Sequence, residues 1–424
     1  MNLKINRYYL FTYLVYFFGS ISFYFDNSFR YNYGFLFYFW FFLIFRENLN
    51  SKFNGQDLIF LIYKIILLLI PSLAIYYFHK QDLTHILFLI ILCFDILEYL
   101  FDRPKSLNNV SKNKYLNKKD LIIYFTLSSW TVIGPFFFGQ GNHLIGMSSF
   151  MFPFSISMIY LEKIMKTLKN PIYGGVFLIY HFSFSAVYLY FHWVGMGRLF
   201  LAVLFLTPIL IYFHYCRIFI SHFIFYIACP IALIILQISR YKNFSFEEYL
   251  IGSAGYHLQL TEMVEKTKYF AQSQWNAFFD QYLLMFFIHV PREIWSSKPF
   301  PIGFWAVEVI FEESIRDNPG EGVHKEFSIS LGFIGEQMLI FGEKFYIGLI
   351  FTLLNIVIIR KLVFYLSFNS IVPLLIFDLN LVSYFWGGMA IFGSRLWVLL
   401  IPSLIFLIVQ YSLGLLNEKS KSNI

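Results

Sequence analysis

Long apolar runs separated by short polar connections occupy most of the chain. A helix advances ~1.5 Å per residue, so about 20 apolar residues are needed to cross the hydrocarbon of a bilayer. Twelve runs are candidates, at 8–25, 33–45, 58–78, 85–101, 121–138, 144–161, 174–193, 199–213, 218–239, 345–359, 362–386 and 396–415. The second is the shortest. The pattern predicts an all-α, polytopic integral membrane protein with about 12 transmembrane helices. No repeat of fixed period runs through it.

One connection breaks the rhythm. Residues 240–327 form a long polar stretch between the ninth and tenth spans, and a connection of that length is usually functional. Within it, 278–290 is mostly apolar and ended by Pro291. It is too short to span, so it reads as a re-entrant or interfacial helix. Residues 305–315 read as a short amphipathic helix. After the loop, the helical pattern over 328–359 is too long for one perpendicular span. Its first turns, which contain Gly332, Gly335 and Gly342, must project, break or tilt. Three regions follow: transmembrane helices 1–9 over 1–239, the large loop over 240–327, and helices 10–12 with a tail over 328–424.

Charge orients the spans. With the N-terminus inside, the segments assigned to the cytoplasm contain 18 Lys and Arg. The short outer loops contain 4, namely Arg30, Lys80, Arg198 and Arg395. Positive charge is retained on the cytoplasmic side, which places both termini there and the 240–327 loop in the periplasm. This count assigns Arg360 and Lys361 to the connection between the tenth and eleventh spans. Lys4 and Arg7 precede the first apolar run, and no small-residue cleavage site follows, so that run reads as a retained span.

Composition agrees. Of 424 residues, 58% are hydrophobic, 22% aromatic and only 13% charged, against roughly 25% charged in soluble domains. The mean hydropathy is +0.63. The net charge of +7 follows membrane topology and excludes a nucleic-acid reading. Cys93 and Cys229 lie inside apolar runs and Cys216 beside Arg217, without disulfide or zinc spacing.

Candidate chemistry gathers on the outer side. Arg198 (Gly-Met-Gly-Arg), Arg240 (Ile-Ser-Arg-Tyr), Arg292 (Val-Pro-Arg-Glu-Ile-Trp) and Arg395 (Phe-Gly-Ser-Arg-Leu-Trp) lie at or beside the outer face, with Lys298 in Trp-Ser-Ser-Lys-Pro. A lone interfacial arginine usually snorkels to water or headgroups. Several together, on the side that disfavours positive charge, point to an anionic ligand, because guanidinium groups grip phosphate oxygens in pairs. Glu336 sits in an apolar run, where a carboxylate is a functional candidate by default or else a packing residue bonded to a neighbouring span. His324 is either a general base or a solvated loop histidine. Asp378 reads as a lone intramembrane acid gluing helices. His181 and His192 have no partner at ligand spacing, so no metal site is expected. There is no phosphate-binding glycine loop and no outer Asp-x-Asp pair for a metal-bound nucleotide sugar.

The stretch FFIHVPREIWSSKP, followed by GVHKEFSISLGFIGEQMLIFGEKFYIGLIF, resembles the Wzy-type polymerases of O-antigen and other oligosaccharide repeat units. The family's Pro-Arg-x-x-Trp-x-x-Lys-Pro segment corresponds to Pro291, Arg292, Trp295, Lys298 and Pro299. Its downstream Gly-Glu corresponds to Gly335 and Glu336, and its late arginine to Arg395. About seventy residues carry the motif, and the remainder is similar in topology alone. The resemblance implies a GT-C-like helical fold in the bacterial inner membrane. It also implies a membrane glycosyltransferase that polymerises undecaprenyl-diphosphate-linked repeat units at the periplasmic face, for lipopolysaccharide or a related surface polysaccharide. No cofactor is implied. Arg198, Arg292 and Arg395 would hold diphosphates, Lys298 and Arg240 would support them, and His324 or Glu336 would deprotonate the acceptor hydroxyl. The partners implied are the lipid-linked oligosaccharides and membrane lipids, and a chain-length-determining co-polymerase stays open. An O-antigen ligase shares the topology and the arginines. A flippase would show paired halves with broken helices, and an acyltransferase an intramembrane His near the cytoplasm.

Overall fold

A computed structural model of the chain describes residues 117–138, 143–192, 198–216, 274–310, 331–368 and 370–422, with isolated positions at 59, 93, 96, 97, 100, 101, 231 and 245. The predicted spans at 8–25, 33–45, 58–78, 85–101 and 218–239 lie outside those residues or almost wholly so. Arg240 and His324 lie outside them as well.

Among the described residues the chain is all-helical, without a strand. The helices are α1 (Lys118–Phe138), α2 (His143–Leu168), α3 (Pro171–His192), α4 (Arg198–Cys216), α5 (Gln274–Phe287), α6 (Ile302–Ile310), α7 (Gly332–Phe341), α8 (Phe345–Leu366), α9 (Val372–Gly387) and α10 (Met389–Ser422). A 3-10 turn, Gly342–Lys344, joins α7 to α8. The ends have local causes. The Asn170 carboxamide accepts the Ile172 N–H at 2.9 Å and Pro171 fills the first helical position, so α3 starts there. Of the outcomes open for 328–359 (projection, break or tilt), the helix breaks, at Gly342, whose φ of 59° is costly for any other residue.

α9 is the central helix, buried from Val372 to Phe385. It packs against α10, α4, α7 and α8, while α2 bridges α1, α4 and α10. α5 lies along α10 and α7. Two polar fastenings hold α9 away from its C-terminal end. The buried Glu162 carboxylate, on α2, accepts hydrogen bonds from the Tyr215 hydroxyl (2.7 Å), the Ser370 hydroxyl (2.5 Å) and the Ile371 N–H (3.1 Å). A negative charge at the start of α9 also suits the helix dipole. Arg360 on α8 donates from Nε to Asp378 Oδ1 (2.8 Å) and from Nη2 to Asp378 Oδ2 (3.1 Å), with the guanidinium 4.1 Å over the Phe101 ring.

This pair corrects two expectations. Arg360 is not a solvated charge in a connection, and Asp378 is not a lone acid. The predicted eleventh span at 362–386 also divides. Leu362 to Leu366 completes α8, and a turn through Ser367 and Ser370, closed by Ser370 N–H to Ser367 O at 2.9 Å, precedes α9. Hydropathy averages over that turn because Leu366, Phe368 and Ile371 keep it apolar.

Among the described residues two stretches are long and apolar enough to cross a membrane: Gly332–Leu366, of 35 residues, and Met389–Leu413, of 25. Along α8, Tyr346, Ile350, Leu354, Ile358, Leu362 and Tyr365 recur at helical spacing and are each more than half exposed. A contiguous apolar stripe of this kind is costly in water and suits a hydrocarbon solvent.

The α5–α10 contact is close because Gly393 has no side chain. A Cβ at Gly393 would overlap the Met285 carbonyl and its backbone. Backbone cannot swing aside as a side chain does. Gly393→Ala should therefore push the two helices apart at a cost of ~1–3 kcal/mol. Detergent-solubilised protein should melt several degrees lower, and an unchanged melting temperature would refute so close an approach.

Candidate functional site

Four of the sequence-predicted site residues come to one end of the described helices, where the end of α5, α7, the α9–α10 corner and the first turns of α10 meet. They are Arg292, Lys298, Glu336 and Arg395. Arg198 opens α4, and its side chain is outside the description.

Glu336 on α7 is fully buried. Its Oε2 accepts the N–H of Met389, the first residue of α10, at 3.0 Å, and among the described residues its Oε1 has no hydrogen-bond partner. The corner that admits it is Gly388, at φ 84°, where a Cβ would stand 2.8 Å from Oε2. Buried Tyr384, one turn before that corner, is within electrostatic reach of the carboxylate. Gln337 beside it is also fully buried, with neither amide atom bonded. Buried polar atoms without partners are rare, and they mark a site that expects something else.

Arg395 lies six residues beyond Met389, or ~9 Å along α10. Among the described residues its one hydrogen bond is a long one, Nη1 to Ser383 Oγ at 3.5 Å. Among the described residues no carboxylate forms an ion pair with it. Ser383 and Tyr384 are neighbours on α9, so the guanidinium and the Glu336 carboxylate flank the same turn.

The Pro-Arg-x-x-Trp-x-x-Lys-Pro segment adjoins this corner and is fastened to itself. Arg292 donates from Nη1 to Lys298 O (2.5 Å) and from Nη2 to Pro299 O (3.2 Å), with its guanidinium 3.8 Å over the Phe300 ring. Lys298 Nζ donates to Ile288 O (2.5 Å) and Val290 O (2.9 Å), the carbonyls just past the end of α5, where a cation is favoured. Burial first, and the Arg292 charge second, hold the Lys298 ammonium below the usual lysine range. The resemblance implies a diphosphate-holding role for Arg292 and a supporting one for Lys298. Each spends at least two donors on backbone carbonyls.

Sequence reasoning passed over two residues here. Gln281, fully buried on α5, donates to Phe300 O (3.0 Å) and accepts the Ile302 N–H (2.9 Å), so it ties the end of the loop back to the helix. An amide within the apolar stretch 278–290 was the available signal. His289 packs beside the Ser394 backbone, with Nε2 buried and unbonded. Burial is the main cause that lowers its imidazole from the ordinary range, and the nearby Lys298 adds to it. His181 is buried between α2 and α4, against the Phe154 ring. Among the described residues no three His, Cys, Asp or Glu side chains gather as a metal site.

Chemically, the described residues of this end offer a guanidinium without an ion-pair partner and, at the same α9–α10 corner, a carboxylate with an unbonded oxygen. The first can hold an anion and the second can take a proton. Comparison with models of known protein families, with curated proteins and with solved structures returns no match.

Proposed function

We propose that the chain is a multi-pass inner-membrane glycosyltransferase that polymerises undecaprenyl-diphosphate-linked oligosaccharide repeat units at the periplasmic face. One observation carries the reading: among the described residues Arg395 is partly buried and without an ion pair, and it lies six residues past Met389, whose N–H is accepted by a fully buried Glu336 with its Oε1 unbonded. A charge kept out of water without a partner is costly. An anionic substrate relieves that cost, and a diphosphate does so with oxygens matched to the guanidinium fork. The resemblance of the surrounding motif to Wzy-type polymerases supplies the substrate class, and the outer placement of this end comes from the charge asymmetry.

The acceptor hydroxyl oxygen of an incoming lipid-linked unit bonds to the anomeric carbon of the donor glycan. The anomeric C–O bond to the diphosphate breaks, and its electron pair leaves on undecaprenyl diphosphate. The hydroxyl proton passes to Glu336 Oε1. Arg395 stabilises the charge that accumulates on the departing diphosphate, in surroundings where such a contact is far stronger than in water. Arg198, assigned by charge to the same outer side, holds diphosphate with Arg395, and Arg240 supports them. His324 is the second candidate for the proton.

Deleting the gene in its host should leave lipid A core capped by one repeat unit, seen as a single band above core on a lipopolysaccharide gel. Bare core alone would assign the chain to a flippase or a ligase and overturn the proposal.

A further inference from the structure

The loop after α5 is closed at three points. Gln281 holds Phe300 and Ile302, Lys298 holds Ile288 and Val290, and Arg292 holds Lys298 and Pro299. Internal turns add Trp295 N–H to Pro291 O (3.0 Å) and Lys298 N–H to Trp295 O (3.1 Å). The helix that carries this loop is in turn bolted to the first turns of α10. Trp397 Nε1 donates to Met285 O at 2.7 Å, Gly393 lets that same carbonyl approach, and His289 reaches the Ser394 backbone. Arg395 lies between Ser394 and Trp397, inside the bolted segment.

We propose that residues 288–299 form a clasp in which Arg292 and Lys298 are positioning residues. They lock the end of α5 against α10 and so hold Arg395 in place. Neither is a phosphate ligand in this arrangement. The guanidinium of Arg292 suits the task because its planar fork meets two carbonyls at once while one face covers Phe300. A lysine has no fork and no face to offer.

The catalytic arm of this proposal rests on the polymerase reading; the structural arm does not. The test uses the full chain in lipid nanodiscs, with Arg292→Lys and Arg292→Gln. Hydrogen exchange at the amides of Trp295 and Lys298 reports the clasp without any substrate. Binding of undecaprenyl diphosphate reports Arg395. A fastener predicts that both variants exchange about tenfold faster and that both bind about tenfold more weakly, because lysine cannot replace the fork. It also predicts non-additivity: in an Arg395→Gln background, Arg292→Gln should weaken binding no further. Arg292→Lys that binds as the native protein does, with Arg292→Gln defective, would make Arg292 a phosphate ligand and overturn the proposal. Unchanged exchange in both variants would also overturn it. A native chain that fails to bind undecaprenyl diphosphate would count against the polymerase reading alone, and exchange would still decide the clasp.

Discussion

Arg395→Ala is expected to stop chain extension, with transfer slowed by about 10²–10³ as for loss of one fixed oxyanion donor. Among the described residues Arg395 makes one hydrogen bond, a 3.5 Å contact to the Ser383 hydroxyl. Little of the fold therefore depends on it, and the loss should fall on the reaction. Arg395→Lys keeps the charge but loses the two-pronged grip, so it should recover only part of the rate. Glu336→Gln probes the other half of the chemistry. The amide oxygen still accepts the Met389 N–H, so the α9–α10 corner is preserved, while the group can no longer take a proton. Loss of a general base costs about 10²–10⁴ in rate. Release of undecaprenyl diphosphate from purified protein in nanodiscs measures both variants, with melting temperature as the control for folding. A Glu336→Gln protein that extends chains at the native rate would remove Glu336 as the base and pass the role to His324. An Arg395→Ala protein at the native rate would take away the anion site altogether.

The helices were readable in the sequence where hydrophobicity alone decides them. The apolar run at 121–138 is the helix Lys118–Phe138, and that at 174–193 is Pro171–His192. That 328–359 could not run as one perpendicular span was readable too, from its length, but whether it would project, break or tilt, and at which of Gly332, Gly335 and Gly342, was not. Nor was pairing. Arg360 and Asp378 are 18 residues apart with a turn between them that hydropathy does not register. One read as a cytoplasmic charge and the other as a lone acid. The site shows the same divide. Residue types pointed to an outer cluster of cations and a carboxylate. Carbonyl and phosphate oxygens attract a guanidinium alike, however, so nothing in Pro-Arg-x-x-Trp-x-x-Lys-Pro says which will be met. Three-dimensional placement separates Arg292 and Lys298, each with two donors held by backbone carbonyls, from Arg395, which makes one long contact among the described residues.

Asp378→Ala should be the most destabilising single change in the described part of the chain. Arg360 and Asp378 are 2% and 1% exposed, and the carboxylate receives two donors from the one guanidinium. Removing it leaves a cation in the middle of the helix packing with no water to turn to. Breaking a buried pair from one side costs ~3–5 kcal/mol. Arg360→Ala leaves the complementary problem, an uncompensated carboxylate on the central helix α9, and should cost a comparable amount. Replacing both partners, as Arg360→Met with Asp378→Leu, removes the two desolvation costs together and should be near neutral or stabilising. The double change is therefore the informative one. If the pair serves only to join α8 to α9, the double variant should melt near the native temperature and extend chains. If it melts normally yet loses polymerisation, the pair has a part in the reaction, and the assignment of all chemistry to the C-terminal end of α9 falls. Single variants no less stable than the native protein would mean that the two groups reach water, against their burial here.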